Sequence, residues 1–210
     1  RKYGHSKGHT VPAILVMENS FHGRTMATLS ATGNAKVQVG FGPLVEGFIR
    51  VPYNDIDAVE KACASHDNIV AVLVEPIQGE GGVNVPAKNF LNQLRDICDR
   101  EQWLLMLDEI QTGNGRTGTY FAYQHNDLLP DVVTTAKGLG NGVPIGACLV
   151  HGAAINVLQA GNHGSTFGGN PLACSAALAV VAEIEEAQLA KRAQVLGDAL
   201  LAGFREKLAD

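Results

Sequence analysis

The sequence predicts an α/β fold in which a mostly parallel sheet carries helices on both faces. Six short segments are apolar or β-branched with little polar alternation, which is typical of strands that are covered on both sides. Helical patterns alternate with these segments, as they do in a parallel sheet built from β/α units. The 210 residues can bury a substantial core in one large domain or two small ones.

The predicted strands are residues 13–17, 48–51, 69–74, 103–107, 132–135 and 145–150. The predicted helices between them are residues 24–31, 55–65 and 88–101. The pattern changes at Asn170 and Pro171, which are a good N-cap and a good first helical residue. An alanine-rich stretch at 172–186 and a charged amphipathic stretch at 188–209 then predict one long helix or a helix pair. We therefore expect an α/β domain at 1–170 and a helical exit segment at 171–210.

Composition and charge narrow the function classes. The net charge is −5 and no basic stripe is present, which argues against a nucleic-acid partner. No apolar run approaches the roughly 18–20 residues of a membrane span, and the first residues do not have the pattern of a signal peptide, so we expect none. Four widely spaced cysteines without a CxxC pair favour reduced thiols in a cytoplasmic protein. His5 and His9 lack an acidic partner between them, so no metal site is expected.

The most informative pair of residues is a carboxylate at a strand end and a lysine in a glycine-rich turn. Asp108 follows the apolar run 103–107, and Lys137 begins the turn KGLGNG after the strand at 132–135. In open α/β sheets, ligands bind at the carboxyl ends of the strands. An acid and an amine at that edge could serve a cofactor, although each alone is more often a solvated surface group.

Other side chains also follow predicted strands. Phe21 could stack on a flat ligand and Arg24 could bind a carboxylate, against the alternative of a buried aromatic and a surface cation. Glu75 and Glu80 lie in a glycine-rich loop, where a functional site and a solvated turn are equally compatible with the sequence. Thr166 precedes a helix start, where hydroxyl groups bind phosphate oxygens or simply cap the helix.

A dinucleotide-binding module is an alternative hypothesis, because the segment Gly113 to Gly118 matches GxGxxG after a strand. Its context disfavours this interpretation. The nearby Asp108 would repel a pyrophosphate, and residues 119–123 do not begin a convincing helix whose N-terminus could bind phosphate.

Taken together, five motifs resemble those of the class III (subgroup II) pyridoxal-phosphate-dependent aminotransferases of fold type I. They are FHGRT at 21–25, EPIQGEGG at 75–82, LDEIQTGNGRTG at 107–118, TTAKGLGNG at 134–142 and HGSTFGGNPLA at 163–173. The resemblance runs from Arg1 to Asp210. It implies that residues 1–170 form the large, cofactor-binding domain of such a transferase, incomplete at its N-terminus, and that 171–210 lead toward a small domain.

The resemblance implies pyridoxal 5′-phosphate as the cofactor, with Lys137 binding it as a Schiff base and then moving the substrate proton. Asp108 would pair with the ring nitrogen, Gln111 would contact the phenolic oxygen, and Phe21 would stack on the ring. Thr166 would bind the phosphate of the cofactor in a partner subunit, which implies a homodimer with shared sites.

The resemblance also implies roles around the substrate. Arg24 would bind the α-carboxylate of the substrate, and Glu75 would support Asp108. Glu80 would pair reversibly with an arginine of the C-terminal domain, so that the site accepts two substrates that differ in charge. The phosphate-binding turn expected upstream of residue 13 and this arginine have no counterpart in the 210 residues, so we expect a piece of a longer enzyme and an inactive isolated fragment.

Within the family, the motifs are most similar to those of enzymes that transfer the terminal amino group of N²-acetylornithine to 2-oxoglutarate in arginine biosynthesis. Alternative amino donors are 4-aminobutyrate, ornithine and succinylornithine. The alternative outside the enzymes is a non-catalytic fragment that keeps the fold as a binding or assembly module.

Overall fold

Residues 1–208 are described in the computed structural model, which has six strands and six α-helices in that part of the chain. The strands are β1 (Ala13–Met17), β2 (Phe48–Val51), β3 (Ile69–Val74), β4 (Leu104–Asp108), β5 (Val132–Thr135) and β6 (Ala147–Val150). The helices are α1 (Lys2–Ser6), α2 (Met26–Ala31), α3 (Ile56–Ser65), α4 (Phe90–Glu101), α5 (Pro171–Glu186) and α6 (Leu189–Leu208). Short 3-10 helices lie at Ala35–Val37, Ala122–Asn126, Lys137–Leu139 and Gly152–Ala154.

The six strands form one sheet in the order β2-β1-β3-β4-β5-β6. All neighbouring pairs from β2 to β5 are parallel, and β6 pairs antiparallel with β5. The predicted mostly parallel α/β sheet is therefore confirmed. The chain passes from β1 to β2 on one side and returns to β3 on the other, which makes a topological switch point between β1 and β3. Ligands of open α/β sheets bind outside the carboxyl ends of the strands at such a point.

The main core lies where α3 and α4 pack on one face of the sheet. Val59 of α3 and Leu94 of α4 are fully buried against the strand residues Leu15, Val72 and Leu105. Burying one such side chain contributes about 1.5–3 kcal/mol to the free energy of unfolding. This packing holds the strands in register, so that the loops at their carboxyl ends start from a rigid edge.

The opposite face of the sheet carries a smaller core. Ala71 of β3 and Leu104 of β4 pack there with Ala154, and the half-buried Tyr3 of α1 covers them. Alternate strand residues therefore serve the two cores, as the period of two in a strand requires.

The predicted helix start at residue 171 is confirmed, because Oδ1 of Asn170 accepts a hydrogen bond from Ala173 N at 3.0 Å. The exit segment is a helix pair, since Gln188 takes a left-handed backbone conformation with φ 51° between α5 and α6. α5 packs against the 3-10 turn Lys137–Leu139 and against α6. Ala209 and Asp210, the end of the predicted exit segment, lie outside the described residues, and the domain division at 170/171 stays a prediction.

Boundaries shift by one or two residues elsewhere. β4 reaches Asp108, and the helix predicted from residue 24 begins at Met26 because Thr25 is extended (φ −72°, ψ 154°). Among residues 1–208, no helix combines the length and the apolar character needed to cross a bilayer.

Candidate active site

A cleft of about 140 Å³ lies beside the carboxyl ends of β1, β3 and β4. It contains six of the eight sequence-predicted site residues, which come from four separate loops. The lining residues are Phe21, His22, Gly23, Glu75, Glu80, Asp108, Ile110, Gln111 and Lys137. A larger cavity of about 290 Å³ beside Leu91 and His125 has no carboxylate in its lining. The cleft therefore combines the predicted acid, amide, amine and aromatic ring at the switch point of the sheet.

Asp108 is the last residue of β4, and its side chain is held by contacts from two sides. His22 Nδ1 lies 2.8 Å from Asp108 Oδ2, and Ile110 N donates to Oδ1 at 3.2 Å. Both side chains of the His22–Asp108 pair are buried. Since a carboxylate only accepts hydrogen bonds, the Nδ1 of His22 carries the proton. His22 Nε2 is also buried and has no hydrogen-bond partner among the described residues.

Glu75, the residue after β3, connects two loops of the cleft. Its Oε1 accepts a hydrogen bond from Phe21 N at 2.8 Å, and its Oε2 accepts one from Gly79 N at 3.2 Å. Burial raises the pKa of this carboxyl, although the two backbone donors oppose the shift. The side-chain hydrogen bond to Asp108 thus comes from His22, while Glu75 fixes the backbone that carries the Phe21 ring.

Gln111 and Glu80 reach the cleft from the neighbouring loops after β4 and β3. Gly79 leaves room for Gln111, because a Cβ at residue 79 would lie 3.0 Å from Gln111 Cγ. Glu80 is exposed, and no ion pair of residues 1–208 includes it. Its carboxylate is therefore free to meet a charged group that enters the cleft.

Lys137 begins the turn after β5 and is exposed at the cleft. Its φ is 46°, in the left-handed region that a residue with a side chain rarely occupies. The neighbouring turn stabilises this backbone, since Asn114 Nδ2 donates to Ala136 O at 3.1 Å. The side-chain amine of Lys137 therefore extends from a backbone that these contacts constrain.

Arg24 and Thr166 do not line the cleft. Arg24 is exposed, and its guanidinium carbon lies 5.6 Å from the centroid of the Phe21 ring, which places a cation beside the cleft. Thr166 lies in an exposed segment between β6 and α5. The roles that the resemblance implies for these two residues remain predictions.

Glu109, next to Asp108, is fully buried and has a different task. Its carboxylate accepts hydrogen bonds from Thr112 Oγ1, from Ala122 N at 3.0 Å and from Tyr123 N at 2.9 Å. Burial raises the pKa of this carboxyl, and the three donors oppose the shift. Glu109 therefore closes the loop that follows β4.

The segment Gly113 to Gly118 forms turns within that loop, and the next regular element is the 3-10 helix Ala122–Asn126. A dinucleotide site needs an α-helix N-terminus at this point. The turn packs instead against α6, where a Cβ on Gly115 would lie 3.5 Å from Ala190 Cβ. The geometry does not support the dinucleotide-binding alternative.

The donor set of the cleft suits a flat heteroaromatic ring that carries a carbonyl group. A carboxylate can pair with a ring nitrogen, an amide with a ring oxygen, an amine with the carbonyl carbon, and an aromatic side chain with the ring face. No group of three or more His, Cys, Asp or Glu side chains within residues 1–208 is arranged to hold a metal ion.

Three polar residues of this region were not among the sequence-predicted site residues. They are His22, Glu109 and Asn114. Each lies inside one of the five motifs, and that position is the only sequence signal that points to them. The ring of His22 and the amide of Asn114 have partners in distant parts of the chain, and Asn114 and Ala136 are 22 residues apart.

Similarity to known proteins agrees with this geometry. The chain is 58% identical over 208 residues to an acetylornithine aminotransferase of Nitrosomonas europaea, covering 99% of this chain and 53% of that protein. It is 50% identical over 184 residues to an acetylornithine aminotransferase of Methanopyrus kandleri, covering 88% of this chain and 47% of that one. The chain spans about half the length of the curated relatives it matches.

Solved structures show the same architecture. An ornithine aminotransferase from Toxoplasma gondii, with pyridoxal phosphate at partial occupancy in its active site, superposes with a TM-score of 0.94 at 37% identity. The match covers 99% of this chain and 50% of that one. An acetylornithine aminotransferase from Elizabethkingia anophelis gives a TM-score of 0.80 at 38% identity, covering 99% of this chain and 48% of that one. The sequence model of the family described as aminotransferase class III matches residues 1–210, and the chain belongs to this family.

Proposed function

We propose that the chain is part of a pyridoxal-phosphate-dependent aminotransferase that transfers the terminal amino group of N²-acetylornithine to 2-oxoglutarate. The observation that carries this proposal is the meeting of Lys137, Gln111 and the His22-bound Asp108 at one cleft. When bound, pyridoxal phosphate supplies a ring that delocalises the negative charge formed beside the substrate nitrogen.

Asp108 keeps the ring nitrogen of the cofactor protonated in this proposal. His22 and Ile110 each donate to one of its oxygens, so the carboxylate holds its orientation while it accepts a further hydrogen bond. An ionised acceptor makes hydrogen bonds that are about twice as strong as neutral ones.

Lys137 would have two tasks in the proposed reaction. Its Nζ would hold the cofactor covalently until the substrate amine displaces it, and the released amine would then move the substrate proton as general base and general acid. Such proton transfer typically contributes about 10²- to 10⁴-fold to the rate. Phe21 would stack on the ring, and Gln111 would donate to its phenolic oxygen.

The substrate contacts follow from the two charged residues at the mouth of the cleft. Arg24 binds the α-carboxylate, and its position beside the Phe21 ring is consistent with this role. Glu80, exposed and outside every ion pair of the described residues, pairs with an arginine in one half-reaction and releases it for 2-oxoglutarate in the other.

Acetylornithine is the favoured donor because curated relatives at 50–58% identity carry that name. Ornithine is the second candidate, since the superposed structure at a TM-score of 0.94 is an ornithine aminotransferase, but its identity is only 37%.

We further propose that the full-length protein is a homodimer in the cytoplasm. Thr166 lies in an exposed segment, and the adjacent Phe167 is 82% exposed. If a partner subunit covers this segment, Thr166 would reach the phosphate of the cofactor that the partner subunit binds. The four free cysteines suit a reducing compartment.

One experiment tests the activity directly. The full-length protein is incubated with pyridoxal phosphate, the visible band of the covalent linkage is recorded, and the linkage is reduced with borohydride and mapped by mass spectrometry. We expect a single adduct at Lys137 that Lys137→Ala abolishes, and the highest kcat/KM with N²-acetylornithine. A full-length protein without the band would instead support a non-catalytic module, and a preference for ornithine or 4-aminobutyrate would overturn the donor assignment.

A further inference from the structure

The turn Gly113 to Gly118, within the loop after β4, contacts the segment that carries Lys137. Asn114 Nδ2 donates to Thr135 Oγ1 and to Ala136 O, each at 3.1 Å. A Cβ added at Gly138 would lie 3.3 Å from Asn114 Cβ. Asn114 thus hydrogen-bonds to the residue before Lys137 and lies beside the residue after it.

The backbone of Lys137 depends on such contacts. Its φ of 46° is strained for a residue with a side chain, and such conformations persist only where surrounding contacts hold them. Ala136 O, immediately before Lys137, accepts the Asn114 amide proton. Without that hydrogen bond, the backbone at 136–137 would be free to relax toward ordinary right-handed or extended conformations and so redirect the Lys137 side chain.

Asn114 itself is held firmly from the opposite side. Gly113 N donates to Glu109 O at 2.8 Å, and Gly115 N donates to Tyr120 O at 3.1 Å. Asn114 has a φ of 56°, a left-handed conformation that asparagine tolerates better than most residues. The turn is therefore a rigid support, pinned to the same strand end that carries Asp108.

We infer that Asn114 is a positioning residue that sets the direction of the Lys137 side chain relative to Asp108. The inference rests on the proposed function, in which the amine of Lys137 must reach the cofactor and the substrate carbon. A misdirected general base slows proton transfer, because catalysis by positioned groups is sensitive to displacements of about 1 Å. Substrate binding by other residues is unaffected, so the loss falls on kcat and leaves KM unchanged.

The test variant is Asn114→Gly, which removes the side chain but keeps a residue that adopts positive φ without strain. The matched control is Asn156→Gly, because Asn156 is also left-handed (φ 66°) and lies in an exposed segment outside the cleft. Both variants are made in the full-length protein.

Two measurements are made on each variant. Hydrogen–deuterium exchange of the cofactor-free protein is followed in the peptide that covers residues 134–140. The rate of covalent linkage to pyridoxal phosphate at Lys137 is followed by absorbance, together with kcat and KM. We expect Asn114→Gly to exchange faster in this peptide, to form the linkage about tenfold more slowly and to lower kcat about tenfold at constant KM. Asn156→Gly is expected to match the wild type.

The outcomes separate this inference from the proposed function. If wild type forms no linkage at Lys137, the proposed function fails, and with it the role assigned to Asn114. If wild type forms the linkage and Asn114→Gly behaves like Asn156→Gly, only the inference is overturned. Faster exchange with unchanged linkage rate and kcat would mean a purely structural contact and would also overturn it. Should Asn114→Gly not fold, Thr135→Val removes one of the two acceptors and is expected to shift the same quantities in the same direction.

Discussion

The imidazole of His22 donates through Nδ1 to Oδ2 of Asp108 across 2.8 Å, and both side chains are buried at the floor of the cleft. A hydrogen bond to an ionised group contributes about 1.5–3 kcal/mol net. The contact fixes the carboxylate that the proposed cofactor would use. His22 belongs to the loop after β1 and Asp108 to the end of β4, so the pair joins strands on both sides of the switch point.

Replacing His22 tests this contact. His22→Phe keeps a ring in the buried site but removes the donor, and we expect kcat/KM of the full-length enzyme to fall about 10- to 100-fold. His22→Asn retains an N–H donor and is expected to recover part of the loss. Steady-state kinetics and the dissociation constant of pyridoxal phosphate measure the effect, and His151→Asn, at an exposed position, is the control. Equal activity of His22→Phe and wild type would show that Asp108 needs no support from His22.

The sheet could be predicted from the sequence because its signals are local. Each strand is a run of four to six mostly apolar or β-branched residues, and Asn170-Pro171 marks a helix start through its own capping chemistry. Asp108 and Lys137 were predicted for the same reason, since each lies next to a strand end. The helix pair of α5 and α6 could not be distinguished from one long helix, because only the left-handed Gln188 separates them.

The rest of the site could not be predicted because it depends on contacts between residues that are separated in the sequence. His22 meets Asp108 across 86 residues of sequence. In the sequence Glu109 cannot be distinguished from a solvated acid. Only the structure shows that its carboxylate accepts hydrogen bonds from the backbone N–H groups of Ala122 and Tyr123. Glycine spacing in the segment 113–118 resembled a dinucleotide turn, but only tertiary structure reveals that it packs against α6.

The variant Glu80→Gln is expected to change the selection between substrates without changing the stability of the protein. Glu80 is exposed and makes no ion pair within the described residues, so we expect the midpoint of urea unfolding to stay unchanged. In the proposed function the carboxylate occupies, in the donor half-reaction, the arginine that binds the second carboxylate of 2-oxoglutarate. Its loss should therefore lower the ratio of kcat/KM for the amino donor to kcat/KM for 2-oxoglutarate by about tenfold. Glu46→Gln, another exposed site, should leave the ratio unchanged; a similar ratio in both variants would exclude the gating role.

We expect the buried thiol of Cys98 to lower the free energy of unfolding at alkaline pH. Burial raises the pKa of this fully buried thiol to about 12, against about 8.5 in an unfolded chain. Below pH 8.5 the thiol is protonated in both states. Between pH 8.5 and 12 only the unfolded state releases the proton, so the free energy of unfolding decreases as pH rises, by about 2 kcal/mol at pH 10.

The alanine variant isolates this contribution. Cys98→Ala leaves a small cavity that lowers stability equally at all pH values, but it cannot titrate. Urea unfolding at pH 7 and pH 10 should therefore show a smaller loss for Cys98→Ala than for wild type. Parallel losses in the two proteins would mean that the thiol does not titrate differently on unfolding.

Glu109→Gln is expected to destabilise the loop that carries both Gln111 and Asn114. The Glu109 carboxylate accepts hydrogen bonds from three donors through its two oxygens. The amide of glutamine has only one oxygen, so it can accept only from the donors that face that oxygen. One buried backbone N–H, at Ala122 or Tyr123, would then face an NH₂ group, which costs about 1–3 kcal/mol. We expect a lower urea midpoint in the full-length protein at fixed concentration, with Glu46→Gln unchanged. If Glu109→Gln unfolds at the wild-type midpoint, the buried carboxylate does not stabilise this loop, and the support beneath Asn114 must come from the backbone hydrogen bonds of the turn alone.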